Sequence, residues 1–80
     1  MKSNTPNMNI TNQINAGLND VRATLIDFSC FPNDGTDQKW CIEKAKYQMD
    51  LIFEMIHEHK EGNSVPWSDR KYLVEEEFDQ

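Results

Sequence analysis

The sequence predicts an all-α protein, an antiparallel two-helix hairpin with a short C-terminal segment folded against it. Three observations carry that prediction. Apolar residues recur at helical spacing in two long stretches, a proline divides them, and a glycine ends the second.

The first stretch places Ile10, Ile14, Leu18, Val21, Leu25 and Phe28 on one helical face, in steps of three and four. Asn9 or Thr11 supplies the N-cap, a short side-chain oxygen accepting from the exposed backbone N–H groups. Gly17 inside this helix costs about 1 kcal/mol relative to alanine. It marks a place where another backbone can come close. Pro32 then ends the helix, and Asn33-Asp34-Gly35 supplies turn chemistry.

Thr36 or Asp37 caps the second helix, whose apolar positions are Cys41, Ile42, Ala45, Met49, Ile52, Phe53 and Ile56. Gly62 stops it, with Lys60 in the last turn. At 1.5 Å per residue the two helices run to roughly 28 and 36 Å, and the short connection makes them antiparallel neighbours. Beyond Gly62, Val65-Pro66-Trp67 is extended by its proline. Ser68 then caps a short helix carrying Tyr72, Leu73 and Phe78, with a strand over Tyr72-Leu73-Val74 as the alternative. The chain thus divides into a disordered arm (1–8), a hairpin (9–62) and a C-terminal segment (63–80). That last segment packs on the hairpin and ends in an acidic tail.

Eighty residues make one domain, in the size range where burial on folding is marginal. A chain this small is expected to self-associate into a homo-oligomer or find another partner to complete its core. Fourteen acidic against eight basic residues give a net charge of −6, which disfavours direct DNA or RNA binding and docking on an anionic membrane. An acidic body suits a protein partner with a basic surface. The start, Met1-Lys2-Ser3-Asn4-Thr5-Pro6-Asn7, has no apolar core like that of a signal peptide, and no apolar run matches a membrane span. A cytoplasmic protein is expected, with Cys30 and Cys41 as thiols although both flank the turn.

Catalysis finds no supporting motif, and no cofactor is implied. His57 and His59 are two residues apart and project about 200° from each other, so they cannot share a metal as an i,i+4 pair does. Cys41 lies about 24 Å along the helix from His57, too far to join one zinc site. Two charge anomalies remain. Glu43, Asp50, Glu54, Glu58 and Glu61 fall in a sector of about 80° opposite the apolar stripe. Asp50–Glu54 and Glu54–Glu58 are like-charge i,i+4 pairs, each costing about 0.2–0.5 kcal/mol. With the run Glu75-Glu76-Glu77, they form a candidate partner-binding surface that could present a phosphate-like row to a basic cleft. Conversely, Lys39, Lys44 and Lys46 crowd the start of the second helix, where the helix dipole disfavours cations. With Trp40 as a stacking face, Lys39 and Lys44 form an alternative site for an anionic nucleotide.

The layout Ile14-Asn15…Gly17-Leu18…Leu25-Ile26, followed by Asp37-Gln38-Lys39-Trp40…Ala45…Gln48-Met49, resembles the hairpin of small phage proteins that sequester cyclic oligonucleotide messengers of bacterial immunity. The resemblance covers about half the chain. It implies a symmetric oligomer, often a hexamer, with a cyclic nucleotide held between protomers at Lys39 and Trp40. In size and charge the chain is also similar to small acidic phage inhibitors, anti-CRISPR proteins among them. The leading expectation is a non-enzymatic, phage-type inhibitor that contacts a bacterial defence or regulatory protein through its acidic helix face. The cyclic-oligonucleotide sponge is the first alternative, and a self-associating structural protein the second.

Overall fold

In a computed structural model of the chain, which describes residues 9–30, 36–63 and 65–78, every regular element is helical. Helix α1 spans Ile10–Cys30 and α2 spans Thr36–Lys60. A 3-10 turn at Trp67–Asp69 then leads into α3, Lys71–Phe78. The expected arm at 1–8, the turn around Pro32 and Gly35, and the final residues 79–80 lie outside the described residues.

The helix ends follow from local chemistry. Asn9 is the N-cap of α1, its Oδ1 accepting from the Asn12 amide at 3.1 Å. At the far end of α2, the Asn63 amide donates to the Glu58 carbonyl at 2.9 Å and the Gly62 amide to the His59 carbonyl at 3.1 Å. This is the paired closure of a Schellman motif, and Gly62 supplies its left-handed residue at φ 94°. Pro66 is extended and opens the 3-10 turn, so Ser68 lies inside that turn instead of capping α3. Tyr72, Leu73 and Val74 lie in a helix, not a strand.

Helices α1 and α2 pack antiparallel. Gly17 faces Ile52, and the Thr24 hydroxyl donates to Gln48 Oε1 at 2.9 Å. Gly17 admits close packing, but of side chains and not of a backbone: a Cβ there would lie 2.7 Å from Ile52 Cγ1 and 3.3 Å from Trp67 Cε3. The core gathers Val21, Ala45, Leu51, Ile52 and Met55 from the hairpin with Trp67 and Val74 from the C-terminal segment. That segment lies against the hairpin as a third layer.

The seam between the long helices is rotated from the stripe predicted by apolar spacing. Leu18, Leu25, Ile42, Met49 and Phe53, all expected in the core, are exposed, Phe53 by 67%. Thr24 and Gln48 are buried in the seam instead. The C-terminal segment selects this rotation. The Trp67 amide donates to Gln13 Oε1 at 2.8 Å and its indole Nε1 to Asp20 Oδ2 at 2.6 Å. Polar residues of α1 therefore turn toward Trp67, and the apolar stripe turns partly away.

Candidate functional site

The residues of the expected acidic surface stand in different surroundings. Asp50 and Glu54 are exposed on the outer edge of α2, and no cation among the described residues pairs with them. Glu43 is close to the same edge, 3.9 Å from Lys46 Nζ. Glu61 stands 3.4 Å from His57 Nε2, both largely exposed. Glu58 belongs to the fold: the buried Arg70 donates from Nη2 to Glu58 Oε1 at 2.5 Å and from Nε to the Val65 carbonyl at 3.3 Å. Glu58 is thus tied to the C-terminal segment. Glu75, Glu76 and Glu77 sit exposed at the end of α3.

The lysine cluster is also partly absorbed. Phe78 packs edge-on against Trp40, with ring centroids 6.1 Å apart, and leans on Tyr47 at 5.6 Å. Lys44 Nζ lies 5.1 Å from the centroid of the Trp40 ring, within cation–π range. A base stacking on that face would have to displace Lys44, while Lys39 is exposed nearby. Between the three helices an open groove of about 190 Å³ is lined by Asp20, Asp27, Lys44, Gln48, Lys71 and Glu75 among others. It is smaller than the roughly 300–1,000 Å³ of small-molecule pockets.

Both cysteines are free thiols, Cys30 exposed and Cys41 fully buried. Burial pushes the Cys41 thiol above its ordinary pKa. The Asp27 carboxylate adds to that rise, and the Lys44 charge opposes it. Among the described residues no three His, Cys, Asp or Glu side chains gather as metal ligands. No helix of the described residues is long and apolar enough to cross a membrane.

Sequence reasoning missed Arg70 and the open apolar face. Arg70 gives no periodic signal, being one cation in a polar stretch. The apolar face was visible as residues but was assigned to the interior. By fold, the described residues form three α-helices, a hairpin layered on one side by the C-terminal segment. Comparison with protein-family models, curated proteins and solved structures finds no match to it.

Proposed function

We propose that this chain is a non-enzymatic binding protein of the phage-inhibitor type, acting by protein–protein contact. It occupies a basic surface on a bacterial defence or regulatory protein with the outer edge of α2. The observation that carries this reading is the pair Asp50 and Glu54. They stand one turn apart, exposed, and neither forms an ion pair with a described cation. Such a pair opposes the helix it sits on, and a basic partner would convert that cost into attraction. Glu43 extends the same edge, and Glu75–Glu77 offer a second acidic patch.

Capture from a bacterial lysate, followed by affinity measurement with the identified partner, tests this. The Asp50→Lys/Glu54→Lys variant is expected to keep its helical content and lose partner binding. Added salt should weaken wild-type binding, mainly through the association rate. Unchanged affinity in the charge-reversed variant would refute the reading. Glu58 is excluded from the variant, because its reversal would break the Arg70 pair and confuse folding with binding.

A further inference from the structure

We propose that the open apolar face of the hairpin docks a second copy of this chain, closing two hairpins into an antiparallel four-helix bundle. The proposal is independent of the acidic-edge reading and uses a different side of the molecule.

Geometry places the exposed apolar residues together. In an antiparallel pair, advancing one residue along either helix swings the side chain about 100° toward the same side of the hairpin plane. Leu18 and Leu25 follow Gly17 and Thr24, while Phe53 and Met49 follow their partners Ile52 and Gln48. All four therefore project to one side. Ile42 joins them, one heptad before Met49. The C-terminal segment covers the other side, where Gln13 and Asp20 hold Trp67.

The spacing and area suit a bundle seam. Leu18 and Leu25 are one heptad apart, as are Ile42, Met49 and Ile56 in succession. Leu18, Leu25, Ile42, Met49 and Phe53 are 49, 49, 44, 38 and 67% exposed. At about 200 Å² for a large side chain, these fractions leave on the order of 500 Å² of apolar surface uncovered. A standard interface buries about 800 Å² per partner, of which about 65% is apolar in homodimers. The face supplies that apolar share.

Charge favours the same occupant. By helical phase, Arg22, Lys46 and Lys60 border the open side, whereas the acidic residues of α1, Asp20 and Asp27, lie on the covered side. Two chains of net charge −6 thus meet away from the carboxylates of α1.

Light scattering across the micromolar range tests the proposal on the full chain. Wild type should give a particle of twice its 9.4 kDa. Phe53→Glu and Leu25→Glu should each raise the dimer dissociation constant at least about 30-fold while keeping the helical circular dichroism. Tyr72→Glu, at an exposed position on α3, should leave the dimer intact. A wild type of 9.4 kDa throughout would overturn the proposal and assign the face to a different protein or to none. Dimers that survive both face variants would also overturn it, as would dissociation caused by Tyr72→Glu. Should a face variant unfold, methyl NMR of wild type on dilution decides. Shifts at Leu18, Leu25, Ile42 and Met49 support the dimer, and shifts confined to Leu73 and Val74 overturn it.

Discussion

Replacing Glu58 by alanine tests whether one ion pair locks the C-terminal segment onto the hairpin. The Arg70 side chain is only 7% exposed and that of Glu58 39%. Removing the carboxylate leaves a buried guanidinium with the Val65 carbonyl as its remaining polar contact among the described residues. Breaking a fully buried pair costs about 3–5 kcal/mol, and an exposed pair contributes about 0–1. Because water reaches the half-exposed Glu58 position, it can replace part of the lost contact. A loss of about 2 kcal/mol is expected, between those limits. For a domain of this size that is a drop in Tm of roughly 8–16 °C. Thermal and urea unfolding followed by circular dichroism measure it. Methionine at both positions removes the charge together with its partner, and should recover most of the loss. A Glu58→Ala variant within about 0.5 kcal/mol of wild type would refute the claim that this pair holds the segment.

Four further outcomes follow from individual residues. Gly62→Ala forces a Cβ into left-handed backbone and should destabilise by about 1–2 kcal/mol in urea unfolding, although nothing crowds the site. Trp67→Phe removes the indole donor to Asp20 and should cost about 1–3 kcal/mol by the same measurement. Cys30 should react with a thiol reagent in the native state and Cys41 only after unfolding. The Cys41 pKa is raised in the folded chain, so the stability tied to its neutral thiol is intact below the thiol's unfolded pKa. That stability is lost as pH rises through the folded pKa. A Cys41→Ala variant should therefore show a flatter fall of stability in alkali.

Both long helices and the end of α2 were legible because their signals are local. Apolar spacing marks the helices, and a glycine at the Schellman position ends the second. The inward face was less legible, because it is a tertiary choice. Leu18, Leu25, Ile42, Met49 and Phe53 form as good an apolar stripe as the residues actually buried. Hydrogen bonds from Trp67 to Gln13 and Asp20 decide between them, and a count of apolar residues discards such polar partners. The candidate acidic surface had a related weakness. Periodicity grouped Glu58 with Asp50 and Glu54, but could not register Arg70 arriving from a later part of the chain. The dividing line is the side-chain partner: i,i+4 relations were readable, whereas individual polar contacts across a dozen or more residues were not.

The rotated seam also explains why one side of the hairpin remains open. A two-helix hairpin with a single apolar stripe per helix could turn that stripe wholly inward, leaving polar residues outside. Here α1 divides its side chains three ways. Ile14, Gly17 and Val21 face α2, Gln13 and Asp20 hold Trp67, and Leu18 and Leu25 face outward. Turning Leu18 and Leu25 into the seam would carry Gln13 and Asp20 away from Trp67, exposing an aromatic now only 2% accessible. The C-terminal layer and the open face are therefore two consequences of one helix rotation. If a second copy occupies that face, the C-terminal segment contributes to assembly without touching the interface, by holding α1 at the angle that presents Leu18 and Leu25. Glu58→Ala, which loosens this segment, should then weaken self-association although Glu58 lies on the covered side.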